Sequence, residues 1–161
     1  MSIIKKILKI MLYEQYRIEV FCEYIGNESD KPNIVKRFLR RVLRKKYGIV
    51  ILYTTRIGEG LNLPHPQNII FGGGVVIKEN VTIYHNVTLG TKRVQDIDLN
   101  NIYNAYPVIE SGCCIYSGAC IIGNIKIEKN TVIAANAVVI DDTEKSSVYG
   151  GIPAKRLDKI G

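Results

Sequence analysis

The sequence predicts a parallel β-helix, a chain wound into coils of short strands, on three observations. Six apolar residues, Ile109, Ile115, Ile121, Ile127, Ile133 and Val139, fall six apart without a slip. Four residues after each of the first five stands a small or β-branched residue: Cys113, Ala119, Ile125, Thr131 and Ala137. The same beat recurs upstream at Ile57 and Leu63, and again at Ile77, Ile83 and Leu89. A period of six fits neither a helix, at about 3.6 residues per turn, nor a lone strand alternating at about 2. It fits flat strands joined by turns, three to a coil, each hexad giving one large apolar residue to a narrow core. Short fixed repeats mark such a fold. The 14 Gly and the lack of Trp suit its tight corners.

The 161 residues make one domain with an appendage. With 47% apolar and 23% charged residues, the chain is globular rather than disordered. Its net charge of +7 lies in one segment. Residues 1–47 hold twelve Lys/Arg and five Asp/Glu, whereas residues 48–161 hold ten of each. The ordinary account of such a run is a solvated helical face. The sharper one is attraction to an acidic partner, an anionic membrane surface or glycan precursor. No nucleic acid is expected, because no stacking aromatics are set among the basic residues. The four cysteines include no CxxC pair, and adjacent Cys113 and Cys114 point to opposite faces of a strand. Buried thiols in a reducing cytoplasm are the simplest account. The first thirteen residues are broken by Lys5, Lys6 and Lys9 and do not read as a signal peptide.

In chain order, residues 2–24 read as a helix, with Ile3, Ile4, Ile7, Leu8 and Met11 on one stripe. Residues 26–32 form a loop. Residues 33–46 read as a second helix, with Ile34, Phe38 and Val42 on one side and a basic run opposite. Gly48 ends it, and the segment from Ile49 to Tyr53 opens the first strand. Residues 49–90 form the first set of coils. Residues 91–107 break the beat and form a protruding loop. The beat resumes at Val108 and runs to about Ile140. This divides the chain into a basic N-terminal helical segment (1–47), a β-helix domain (48–157) and a tail (158–161).

His65 and His85 are the only histidines, and each stands two residues past a hexad residue. The beat slips by two between Ile69 and Phe71, near Gly72, Gly73 and Gly74. A coil of eighteen with that slip makes the twenty residues that separate the histidines. The two imidazoles are therefore expected on one edge, one coil apart, with backbones about 4.8 Å from each other. Proton transfer is the chemistry this edge offers. A corner His bonded to backbone is the structural alternative. Nucleophile motifs such as GxSxG are absent. No metal is expected, since zinc takes three or four protein ligands.

The segment from Gly58 to Ile70 (GEGLNLPHPQNII) resembles the active-site coil of the serine acetyltransferase-like branch of hexapeptide-repeat acyltransferases. Asn86 to Gly90 (NVTLG), Ser117 to Ala119, Gly123 to Ile125 and Gly151 to Lys155 (GIPAK) resemble further elements of that branch, in order and spacing. The pattern is closest to short polysaccharide O-acetyltransferases. The resemblance covers roughly residues 48–157. It implies a left-handed parallel β-helix, a homotrimer, and acetyl transfer from acetyl-CoA at clefts between subunits. It makes His65 the general base, taking a proton from an acceptor hydroxyl as that oxygen attacks the thioester. Backbone N–H groups would stabilise the oxyanion. His85 is a second catalytic candidate that positions His65 or the acceptor. Gly90, Thr91, Ser117 and Ala135 match positions along the CoA chain, and Lys155 and Arg156 match a basic tail near its phosphates.

The family also carries an Asp fifteen residues before the catalytic His and another immediately before it; here these are Val50 and Pro64. Its loop carries Arg-His-Pro; here the stretch is Ala105-Tyr106-Pro107. A cationic amino group loses its partners by these changes, and an unmatched charge is costly. A neutral sugar hydroxyl needs no such pair, and Tyr103 and Tyr106 offer rings and hydroxyls to a sugar. The expected function is therefore O-acetylation of a carbohydrate acceptor in surface-polysaccharide biosynthesis, in the cytoplasm, with a peripheral membrane contact through the basic N-terminus. The alternatives are a serine O-acetyltransferase, a non-catalytic β-helix scaffold and a metal-dependent β-helix hydratase.

Overall fold

The computed structural model describes residues 13–27, 33–98 and 100–159. The expected stripe from Ile3 to Met11 and most of the loop before Asn33 lie outside them. The rest is a left-handed parallel β-helix capped by two helices, α1 (Glu14–Gly26) and α2 (Ile34–Tyr47). The strands of the first coils are β1 (Val50–Ile51), β2 (Arg56–Ile57), β3 (Ile70–Phe71), β4 (Val76–Ile77), β5 (Thr82–Ile83) and β6 (Thr88–Gly90). After the loop come β7 (Val108–Ile109), β8 (Cys114–Ile115), β9 (Cys120–Ile122), β10 (Lys126–Ile127), β11 (Val132–Ile133) and β12 (Val138–Val139). A closing hairpin joins β13 (Ser147–Gly151) to β14 (Ala154–Lys159).

Three faces result. The first stacks β1-β3-β6-β9-β12, the second β2-β4-β7-β10, and the third β5-β8-β11-β13-β14. All neighbours are parallel except the closing hairpin. Asn62 extends the third face through a bridge to Thr82. Every expected hexad residue points inward: Ile109, Ile115, Ile121, Ile127, Ile133 and Val139 are all buried. So are Cys113, Ala119, Ile125, Thr131 and Ala137, two residues before the next inward side chain. Burying each large aliphatic side chain contributes roughly 1.5–3 kcal/mol.

Two of the three corners turn through left-handed backbone in coil after coil, and at the third Gly123 alone has positive φ among the described residues. Gly48, Asn68, Asn86, Gly118 and Asn136 form one such column, and Gly60, Asn80, Gly112, Asn130 and Ser146 the other. Asn and Gly are the residues that adopt positive φ at low cost. At Gly118, a Cβ would run into Oδ1 of Asn136 one coil on, so glycine is required there for space as well as for φ.

The helices close the open end of the first coil. Ile18, Cys22 and Ile25 of α1 bury against it. Two glutamates of the same helix do what a further coil would do. Glu19 Oε1 accepts the Leu63 N–H at 2.7 Å, and Glu23 Oε1 accepts the Leu61 N–H at 3.0 Å. An exposed strand edge invites unwanted pairing, and this end is covered instead. Partial burial pushes the Glu23 carboxyl above its ordinary range, against the pull of the Leu61 and Gly60 N–H groups.

Helix α2 begins with Asn33, whose side chain accepts the Lys36 N–H, and ends at Gly48 in left-handed backbone. Its docking face differs from the expected one. Ile34 and Phe38 are 81% and 63% exposed, whereas Leu43 and Lys36 are buried. Arg40 Nε bonds the Ile51 carbonyl at 3.0 Å and sets which edge of the helix meets the coil. All four cysteines are free, and burial pushes the Cys113 thiol up to about 11. Among the described residues no helix is long and apolar enough to cross a membrane.

Candidate active site

The register places the two-residue slip. Val50 pairs with Ile70, Arg56 with Val76, and Asn62 with Thr82, all steps of twenty. Ile70 pairs with Thr88 and Val108 with Lys126, steps of eighteen. The extra residues therefore lie between Asn62 and Ile70, in the turn that carries His65, and not near Gly72 to Gly74. Those glycines serve another purpose. A Cβ on Gly72 or Gly74 would sit 2.5 or 2.6 Å from ring atoms of Tyr106, so they form the seat of that ring.

His65 stands in a turn of five residues, Pro64 to Asn68, and is exposed. His85 stands one coil on in a turn of three, Tyr84 to Asn86, and is half-buried. Their ring centroids are 5.8 Å apart and meet edge to face at 71°. The expected juxtaposition is thus present, but no hydrogen bond joins the rings among the described residues. His85 Nδ1 is buried without a hydrogen-bond partner. The His65 ring also lies 6.1 Å from Tyr84, whose own ring stacks on Tyr116 at 5.0 Å.

One corner gathers several of the candidate positions. The Asn86 N–H bonds the Gln67 carbonyl, the Gly118 N–H the His85 carbonyl, and the Asn136 N–H the Ser117 carbonyl. These bonds stack the His65, His85, Ser117 and Ala135 turns in one column. Gly90 and Thr91 stand at the other end of the first face, where the long loop departs, and the Gly90 carbonyl accepts from Gly123. Lys155 and Arg156 lie on β14 and are exposed; Arg156 pairs with Glu144 at 2.8 Å.

The loop tyrosines do not join the His65 cleft in this chain. Tyr106 is 6% exposed, packed over the glycine seat, so it has no free face for a sugar. The Tyr103 ring is covered by the Arg56 guanidinium at 3.8 Å. Tyr47 lines the His65 cleft, the Tyr84 ring lies next to His65, and Tyr116 stacks on Tyr84; the sequence reading passes over all three. The signal for Tyr84 and Tyr116 is their slot: each directly follows an inward hexad residue, Ile83 or Ile115.

The cleft at His65 has a volume of about 530 Å³ and is lined by Glu14, Gln15, Ile18, Tyr47, Pro64, Pro66, Gln67 and His85. Four of its lining residues, Glu14, Gln15, Ile18 and Tyr47, come from the helices, which the sequence reading treats as a basic appendage. Glu14 accepts from Lys46 Nζ at 2.6 Å and from the Tyr47 hydroxyl. These two bonds hold its carboxyl below the usual range. Among the described residues no group of three His, Cys, Asp or Glu gathers in a metal-ligating cluster.

Solved structures share this architecture. A serine acetyltransferase of Neisseria gonorrhoeae superposes with a TM-score of 0.76 at 26% identity, over 96% of this chain and 57% of that one. A serine acetyltransferase in complex with CoA superposes at 0.72 and 26% identity, over 92% and 60%. The serine acetyltransferase of Buchnera aphidicola from Acyrthosiphon pisum is 31% identical over 147 residues, 91% of this chain and 50% of that protein. The likeness is to the hexapeptide-repeat family of serine acetyltransferases. No protein-family model matches the chain. The chain spans about half the length of that Buchnera relative. The expected closeness to short polysaccharide O-acetyltransferases finds no support in these relatives, which carry the serine name.

Proposed function

We propose that this chain is an acetyl-CoA-dependent O-acetyltransferase with His65 as general base and L-serine as its acceptor. One observation carries the reading: a five-residue turn presents His65 in an open cleft at the head of the His85, Ser117 and Ala135 column. The resemblance puts CoA contacts at Ser117 and Ala135, and a similar structure holds CoA.

The chemistry needs no covalent enzyme intermediate. Neutral His65 takes the proton of the acceptor hydroxyl as that oxygen bonds to the thioester carbonyl carbon. The tetrahedral oxyanion collapses, the carbon–sulfur bond breaks, and the imidazolium returns its proton to the CoA thiolate. The products are O-acetylserine and free CoA. Gly90, Thr91, Lys155 and Arg156 are proposed to hold the CoA chain and phosphates. A homotrimer is part of the proposal. The outward row of the first face carries Val50, Ile70, Thr88, Cys120 and Val138, apolar but for Thr88 and suited to a subunit contact.

A sugar acceptor is the second reading, and one feature favours it. The Tyr84 ring lies beside His65 and stacks on Tyr116, which is 41% exposed. Aromatic faces of this kind pack on sugar rings.

The test is thiol release from acetyl-CoA with L-serine and with a panel of sugars, alongside direct measurement of acetyl-CoA binding. Release with L-serine supports the first reading. Release with a sugar alone transfers the assignment to the second. No binding of acetyl-CoA would leave the scaffold alternative.

A further inference from the structure

The inference rests on the serine reading and concerns how the cleft recognises its acceptor. An amino acid carries an ammonium and a carboxylate close together, so a site for it needs opposite charges close together. Of the described residues that line the His65 cleft, Glu14 is the only carboxylate. Its partner Lys46 is not itself a lining residue but sits at 2.6 Å from the Glu14 carboxylate, with both side chains more than half exposed. Apart from His65 and His85, the other polar lining groups, Gln15, Gln67 and Tyr47, carry no charge.

We propose that the Glu14–Lys46 pair is the recognition element for a zwitterionic acceptor, Glu14 taking its ammonium and Lys46 its carboxylate, which leaves the hydroxyl to His65. Three features support this assignment. The pair joins the first residue of α1 to the next-to-last residue of α2, and both helices dock on the coil that carries His65. Its position is therefore fixed relative to the base. The Tyr47 hydroxyl bonds the same carboxylate and orients it. An exposed ion pair contributes only about 0–1 kcal/mol, so a ligand opens it at little cost and regains both charge contacts. A neutral acceptor gains nothing from such a pair.

The experiment compares L-serine with L-serinamide, which keeps the ammonium and hydroxyl but has no carboxylate. Wild type, Glu14→Gln and Lys46→Met are assayed for thiol release from acetyl-CoA, with KM and kcat separated and thermal midpoints recorded. Glu14→Gln is expected to raise KM for both acceptors by roughly ten- to a hundredfold, the loss of one hydrogen bond to a charged group. Lys46→Met is expected to raise KM for L-serine by a similar factor and to leave L-serinamide unchanged. The kcat values and the KM for acetyl-CoA are expected to stay within about twofold, because His65 is untouched. A merely structural role would move both acceptors together in Lys46→Met, and that result overturns the proposal. Unchanged KM in both variants, with wild type active on L-serine, overturns it while leaving the serine reading standing. A wild type that acetylates only sugars overturns both.

Discussion

Two turns of one corner, a coil apart, differ above all in length. From buried Ile83 to buried Val87 the chain passes through Tyr84, His85 and Asn86. From buried Leu63 to buried Ile69 it passes through Pro64, His65, Pro66, Gln67 and Asn68. Both turns end in an Asn with positive φ, 58° and 53°. The coil fixes where each turn begins and ends, so two inserted residues can only go outward. His85 stays half-buried with an unpartnered Nδ1, and His65 is displayed. Prolines on both sides of His65 fix φ and stiffen the bulge. The scaffold supplies regularity, and the site is built where that regularity is broken.

The comparison can be tested by removing the difference. Deleting Pro66 and Gln67 leaves Pro64-His65-Asn68, a three-residue turn matching Tyr84-His85-Asn86. The fold is expected to survive, by circular dichroism and thermal midpoint, while transfer falls by a factor of roughly 10² or more as His65 withdraws into the His85-like slot. Retained activity would show that the bulge is not what presents the base. A smaller effect is expected from Glu19→Ala. That variant leaves the Leu63 N–H, two residues before His65, without its partner, at a cost of about 1–3 kcal/mol measured by denaturant unfolding. A loss of activity exceeding the loss of stability would localise the effect to the His65 turn.

Much of the fold is legible in the sequence because its period does not depend on tertiary context. The inward residues from Ile109 to Val139 need only a count of six. The slip is harder. Ile69 sits six after Leu63 and passes for a hexad residue, yet it fills the slot two before inward Phe71. The glycines at 72–74 look like the irregularity, but they are shaped by Tyr106, a contact made across the inserted loop. No local pattern shows that Tyr106 is buried. The acids of α1 leave a weaker trace. Glu19 and Glu23 flank Cys22 on a helix face otherwise made of Ile18 and Ile25, and carboxylates on an apolar face signal bonds to buried backbone. Glu14 and Lys46 are distant in sequence and meet only because both helices cap the same coil.

The most direct test of the account measures acceptor-dependent thiol release from acetyl-CoA in His65→Ala and His85→Ala side by side, with acetyl-CoA binding checked in both. The account predicts a loss of about 10²–10⁴ in the first, the usual worth of a general base, and a loss within about tenfold in the second, with binding intact in each. Collapse in His85→Ala with activity kept in His65→Ala would contradict it, and would move the base from the bulged turn to the regular one.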